Sequence, residues 1–243
     1  MLDPIPKTLE ASKVLAGLHR QPTDRVVLLY SAGADSTAAG LKMVEAGLSV
    51  HPLFIDYGQT ALQAEEYLAL TAPTTLGFQA TRIVRMAEAM KSLSNSALLG
   101  ENSANDMDAW VPARNTLFTV LAGIYGCQID ADRIVIGFMA DDQGVYGDSN
   151  YLHHQLAGLL LTQSLSRPMP VDTPLKSLTK KEVLKYLLAQ GAIDLTVSCW
   201  NARLEDRVVQ ACHRCTNCQE RDGNLALIEQ QSGSRVNTID AAR

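Results

Sequence analysis

No apolar run in this chain of 243 residues approaches the roughly 20 residues that a helical membrane span requires. The first stretch, Met1 to Arg20, is mixed and polar with no hydrophobic signal region, so no export signal is expected and a cytosolic (cytoplasmic) address follows. Positive charge is not in surplus either: 21 Lys and Arg stand against 26 Asp and Glu, for a net charge of −5. That balance argues against a broad electrostatic nucleic-acid binder and toward a small-molecule enzyme. Internal repeats and low-complexity tracts are absent too. With 47% hydrophobic residues and charges interspersed along the chain, wholesale disorder is excluded. A chain of this size buries about 70% of its unfolded surface, enough for a full core.

What is present alternates. Lys7 to Leu18 has apolar residues at helical spacing. Arg25 to Tyr30 is a continuous apolar run, the pattern of a strand covered on both faces. Helical patterns at 37–46, 61–76, 115–127, 151–165, 179–190 and 220–230 are interleaved with strand patterns at 48–55, 81–84 and 133–137. This strand–helix alternation predicts an α/β fold with a parallel sheet. Thr179 and Glu182 fit a capping box, and the stretch 86–110, rich in Ser, Asn and Ala, is expected to be a long loop. We divide the chain into a principal domain (1–190), a C-terminal subdomain (191–232) and a polar tail (233–243) expected to fray.

Directly after the first strand comes Ser31-Ala32-Gly33-Ala34-Asp35-Ser36-Thr37, running into a helix. In a parallel sheet such a loop lies at the carboxyl ends of the strands, where ligands bind. Small residues let backbone N–H groups approach a polyanion, and the helix N-terminus adds partial positive charge. Ser31, Ser36 and Thr37 offer hydroxyls to phosphate oxygens. Asp35 would repel phosphate directly but suits a Mg²⁺ ligand between protein and pyrophosphate. Neither the Walker nor the dinucleotide-binding glycine spacing is present. The loop resembles the SGGxDS loop of N-type ATP pyrophosphatases, which cleave ATP between its α and β phosphates, with Ala32 in place of the first glycine. If that position needs a positive φ, alanine costs about 1–2 kcal/mol; if glycine serves only close approach, a methyl is tolerated.

Four of the five cysteines, Cys199, Cys212, Cys215 and Cys218, form C-x12-C-x2-C-x2-C. Disulfides are disfavoured in the cytosol, and this spacing suits a closed, all-thiolate structural zinc site. An iron–sulfur cluster is the alternative; polar neighbours and the α/β context favour zinc. His213, inside the cluster, reads as a surface residue and Cys127 as a core thiol.

Loop and cysteines together, in this order and at this length, resemble the 7-cyano-7-deazaguanine synthase family, and the likeness covers most of the chain. Phe54 to Gln59 is similar to its DYGQ segment, Pro112 to Phe118 to its PGRN-x-x-F segment, Thr173 to Glu182 to its TPL-x-x-L-x-K-x-E segment, and Ser198 to Trp200 to its SC[WY] element. The resemblance implies a Rossmann-like sheet with a zinc-bearing C-terminal helical part, a homodimer, and the cofactors ATP, Mg²⁺ and Zn²⁺. It implies that a 7-carboxy-7-deazaguanine carboxylate is adenylated, converted by ammonia to the amide, and dehydrated with a second ATP to the nitrile. Tyr30 to Thr37, with Asp56 and Tyr57 at the strand ends, would contact the nucleotide. Asp35, Ser36, Arg114 and Lys180 would act on the phosphates or acyl-adenylate. The family's acceptor loop corresponds to Gly137 to Asn150. Asp142, Tyr146 and Asp148 survive there as substrate contacts, whereas Met139, Gly147, Ser149 and Asn150 depart from the pattern; after Gln59, Thr60 and Ala61 replace Arg-His. Those departures leave open an amide endpoint, a different deazapurine carboxylate or a protein-linked acceptor. A tRNA-thiolation enzyme would need a second reactive cysteine, and only Cys127 remains. A non-catalytic nucleotide-binding module is the third reading.

Overall fold

The apolar run after the N-terminal segment is a strand, β1 (Arg25–Leu29), in the computed structural model, which describes residues 22–94, 96–99 and 110–232. Val26, Val27 and Leu28 have no accessible surface. Val26 and Leu28 face one core layer and Val27 the other, which is why the run is continuous rather than alternating. Helix α1 (Ala34–Glu45) follows, then β2 (Ser49–Asp56). The helix expected over 61–76 divides into α2 (Leu62–Thr71) and α3 (Pro73–Leu76), because Pro73 has no N–H to continue the first helix and is preorganised to begin the next. Strand β3 (Arg82–Arg85) ends this half.

The expected long loop is a correction in part. Ala87–Leu93 forms helix α4 and Ala97–Leu99 a single 3₁₀ turn, because Met90, Leu98 and Leu99 are apolar anchors buried in the second core layer. Helix α5 (Arg114–Gln128), strand β4 (Arg133–Val135), helix α6 (Tyr151–Leu165), the two-residue strand β5 (Val171–Asp172) and helix α7 (Lys180–Ala189) complete the alternation. The capping box at α7 is formed: the Glu182 amide donates to the Thr179 hydroxyl, and the Glu182 carboxylate accepts from the Thr179 amide at 2.8 Å. An antiparallel hairpin, β6 (Arg203–Glu205) and β7 (Val208–Gln210), precedes α8 (Thr216–Ser232). The hairpin turn places Asp206 and Arg207 at φ +49° and +66°. Without an Asn-Gly or Gly signal there, it was not expected.

The main sheet has the order β3-β2-β1-β4-β5, all parallel. Chain direction across the sheet reverses between β1 and β4, so the crevice beyond their carboxyl ends is the switch point where ligands bind. Helices α1, α7 and α8 pack in one layer, with Cys199, Cys215 and Cys218 continuous with the core around Val26 and Leu184. Helices α5 and α6 pack in the other. No helix among the described residues is long and apolar enough to cross a membrane. The expected helix at 7–18 and the tail at 233–243 lie outside the described residues.

Candidate active site

At the switch point a cavity of about 540 Å³ opens between the loop after β1 and the loop after β4. Gly33 begins α1 in an extended conformation (φ −70°), and Ala32 before it is left-handed at φ +57°. The alanine therefore stands at the positive-φ position, and its methyl is wholly buried. Its carbonyl accepts from the Val197 amide at 2.9 Å, which ties the phosphate loop to the cysteine-bearing segment. Ser36 Oγ donates to the Gly33 carbonyl at 3.1 Å, and Ser31 Oγ accepts from the Gly33 amide at 3.3 Å. Tyr30, Ser31, Gly33, Ala34, Asp35 and Ser36 line the cavity. Thr37 is fully buried beside Tyr30, whose phenol is pushed up to about 12 by burial against the pull of the Thr37 hydroxyl.

Gly137, at the end of β4, shows how closely the two loops nest. A Cβ there would lie 2.6 Å from the Asp35 carbonyl carbon and 2.7 Å from the Ser36 nitrogen. Backbone on that side cannot yield cheaply, so only glycine lets the loop after β4 rest on the start of α1.

Lys180 leads α7 into the cavity. Its Nζ donates to both carboxylate oxygens of Asp35 at 2.8 Å and stands 3.8 Å from Glu220. Burial pushes the ammonium down, but Asp35, Glu220 and Asp142 together push it further up, so it stays charged. Asp142, on the turn after β4, accepts from the Met139 amide at 2.9 Å. Burial, with Asp35 nearby, pushes its carboxyl up to about 6 against that hydrogen bond.

On the β2 side, Arg114 at the start of α5 donates to the Tyr57 hydroxyl at 3.1 Å. Burial raises the Tyr57 phenol, and Arg114 opposes it. Asp56 is turned elsewhere: one oxygen accepts from Arg85 at 3.0 Å and the other from the Gly58 amide, and it does not line the cavity. Asp148 likewise serves the scaffold. It accepts from the Asn115 amide at 2.8 Å and so caps α5, whose own N-cap, Ala113, is left-handed at φ +54° and makes no side-chain cap. Tyr146 lines the cavity; Asn150, one of the departures, caps α6 by accepting from the His153 amide at 2.8 Å.

Sequence reasoning passed over three cavity residues. Glu65 on α2 carries no local signal, yet burial pushes its carboxyl up to about 7, against Gln59 and Arg114. His154 sits on an apolar helix at 1% exposure, and burial lowers its imidazole to about 4. Glu220 reads as an ordinary helix charge until α8 brings it to Lys180.

Behind the phosphate loop the sulfurs of Cys199, Cys212, Cys215 and Cys218 lie within 4.8 Å of one another. Four thiolates on one zinc at about 2.3 Å would stand roughly 3.8 Å apart, so the donor set fits a single tetrahedral ion after slight contraction. Cys199 Sγ already accepts from the Asn201 and Cys212 amides at 3.3 and 3.2 Å, the bonds a thiolate favours. His213 is 70% exposed and paired with Asp222 at 2.9 Å, while Cys127 packs against the second core layer.

The family described as queuosine biosynthesis protein QueC matches residues 25–229. The 7-cyano-7-deazaguanine synthase of Alcanivorax borkumensis is 31% identical over 210 residues, covering 81% of this chain and 92% of that protein. Its counterpart in Saccharophagus degradans is 30% identical over 210 residues, covering 81% and 91%. Among solved structures, the U34-tRNA thiolase of Methanococcus maripaludis covers 91% of this chain and 72% of its own, with a TM-score of 0.49 and 13% identity. Family match, parallel sheet, phosphate loop and four-cysteine cluster agree, and the chain belongs to the QueC family of ATP-dependent ligases.

Proposed function

We propose that the protein converts 7-carboxy-7-deazaguanine, ATP and ammonia to 7-cyano-7-deazaguanine through an acyl-adenylate and an amide. The observation that carries this reading is the convergence of the Ser31–Ser36 loop, Lys180 and the 137–146 loop on one cavity. The substrate carboxylate attacks the α-phosphorus and pyrophosphate leaves. Ammonia attacks the acyl carbon, AMP leaves and the amide remains. The amide oxygen attacks the α-phosphorus of a second ATP, pyrophosphate and one N–H proton leave, and loss of AMP and the remaining N–H proton gives the nitrile.

The chain's own residues supply charge and position. Amides at the start of α1, with Ser31 and Ser36, receive the phosphate oxygens. Lys180 leaves Asp35 for the phosphates as negative charge develops on the leaving group. Asp35, so released, would hold Mg²⁺, which neutralises the pyrophosphate. Arg114, oriented by Tyr57, faces the acyl-adenylate, and Asp142 and Tyr146 line the acceptor side. The four cysteines would hold zinc, which supplies folding energy rather than chemistry.

One observation favours a second endpoint. Met139 stands where the family pattern has asparagine and is only 1% exposed, so it offers the acceptor no hydrogen bond. The amide as final product, or another deazapurine carboxylate as substrate, follows from that loss. Incubation with ATP, ammonium and 7-carboxy-7-deazaguanine, read by mass spectrometry, decides between amide and nitrile; neither product from folded, metal-loaded protein refutes both.

A homodimer belongs to the same proposal. Leu152, Leu156, Leu159 and Leu160 form a stripe on α6, each more than half exposed, opposite the face that Ala157 and Leu161 bury. Sedimentation equilibrium of the wild type and of Leu156→Glu measures it.

A further inference from the structure

Among the described residues, Glu65 is the one cavity carboxylate away from the Lys180 cluster with no cation at contact. Gln59 clamps it. The Gln59 amide nitrogen donates to Glu65 Oε2 at 2.9 Å and to the Ile55 carbonyl at 3.3 Å, while its oxygen accepts from the Tyr57 amide at 3.0 Å. Both polar atoms of the Gln59 side chain are thus engaged in fixing Glu65 in one orientation. The other Glu65 oxygen has no hydrogen-bond partner among the described residues, and Arg114, which acts on Glu65 through space, is held instead by the Tyr57 hydroxyl. A carboxylate partly enclosed and only half satisfied is costly to keep. The same cavity has aromatic and apolar lining: Phe118 tilts against Tyr57 at 5.3 Å, and Leu98 and Trp200 join them. The Thr60 hydroxyl donates to the Trp200 carbonyl at 2.6 Å and fixes that lining.

We propose that Glu65 selects the acceptor by accepting two adjacent N–H donors from the edge of its heteroaromatic ring, the ring N–H and the exocyclic amino group of a 2-aminopyrimidinone. A carboxylate presents acceptors only, so it matches a guanine-type edge, which offers two neighbouring donors. Adenine offers a donor beside a ring acceptor and leaves one carboxylate oxygen facing a lone pair. The geometry therefore assigns Glu65 to the acceptor and not to ATP. This rests on the deazapurine reading above and deepens it by naming the residue that recognises the ring.

The test measures binding by calorimetry with metal-loaded protein, using 7-carboxy-7-deazaguanine, its analogue without the 2-amino group, and α,β-methylene-ATP. Glu65→Gln keeps the Gln59 bond but replaces one acceptor by a donor; Glu65→Met removes both, and thermal unfolding verifies that each variant is folded. Both variants are expected to bind the carboxydeazaguanine about 10- to 100-fold more weakly and α,β-methylene-ATP within twofold of wild type. The analogue is expected to bind wild type more weakly than the parent compound, and to bind each variant no more weakly than the parent. Unchanged acceptor affinity in the variants overturns the assignment. So does a Glu65→Gln protein that binds the ATP analogue more tightly while keeping its acceptor affinity, since glutamine complements adenine. A wild type that binds α,β-methylene-ATP but none of the deazapurines overturns the proposed substrate, and this assignment with it.

Discussion

Two alanines occupy left-handed backbone positions at the edge of the site, and replacing each by glycine separates backbone strain from packing. Ala113 (φ +54°) is exposed, whereas Ala32 (φ +57°) is wholly buried. For an L-residue the left-handed region costs roughly 1–2 kcal/mol, and glycine returns about 0.5–1 kcal/mol of that through its extra unfolded-state freedom. Ala113→Gly therefore nets a stabilisation of about 0.5–1 kcal/mol, or roughly 2–4 °C in Tm per kcal/mol for a chain of this size. Ala32→Gly also loses a buried methyl worth about 0.8 kcal/mol, which brings its net effect close to zero. Differential scanning calorimetry of metal-loaded protein reads both, with α,β-methylene-ATP affinity as a second readout. Equal stabilisation by the two substitutions would show that the Ala32 methyl contributes no packing. Destabilisation by Ala113→Gly would refute the left-handed assignment before α5.

Lys180→Met removes the cation between Asp35 and Glu220, and pyrophosphate release is expected to fall by about 10²–10³-fold; an unchanged rate would remove Lys180 from the chemistry. Gly137→Ala should abolish binding of α,β-methylene-ATP while near-native secondary structure persists by circular dichroism, because the new methyl meets the Asp35 backbone at 2.6 Å. If the four cysteines hold a metal as proposed, chelating it is expected to weaken that binding at least about tenfold, since binding energy at such a site is folding energy and the Val197 amide holds the Ala32 carbonyl. Retained affinity in metal-free protein would uncouple the two. His154, lowered to about 4 by burial, resists protonation in the folded state but not in the unfolded one. Its contribution is fully present above pH about 6.5 and is lost as pH falls toward 4, by up to roughly 3 kcal/mol. Asp142 and Glu65, both raised, act in the opposite direction. Denaturant titrations across pH 4.5–7.5 should therefore show a shallower acid loss in His154→Phe than in wild type, and parallel curves would refute the role.

Much of the fold was legible because its signals are local. The apolar run at 25–30, the helical spacing at 151–165 and the capping box at Thr179 each report a backbone state that neighbouring residues set among themselves. Break points that depend on distant burial were not legible. Met90 and Leu98 make ordered structure within a stretch that reads as loop, because a core layer from β1, β2 and α5 is there to receive them. The β6–β7 turn uses Asp206 and Arg207 at positive φ, a choice that carries no composition signal. In the site, Ser31 to Ser36 and the four cysteines were legible as contiguous motifs. Asp56 and Asp148 read as ligand contacts on motif position alone, yet Arg85 and the Asn115 amide claim their oxygens.

By itself the sequence determined the parallel α/β alternation, the phosphate loop and the four-cysteine cluster, since each is written in residues close along the chain. Tertiary structure alone decided which charges meet. Lys180 and Asp35 are 145 positions apart and Glu220 comes from a third helix, so their contact exists only once α7 and α8 dock beside α1. It likewise decided that Gly137 must be glycine and that Glu65 faces the cavity. Burial and backbone contact act through space, and no spacing along the chain records them.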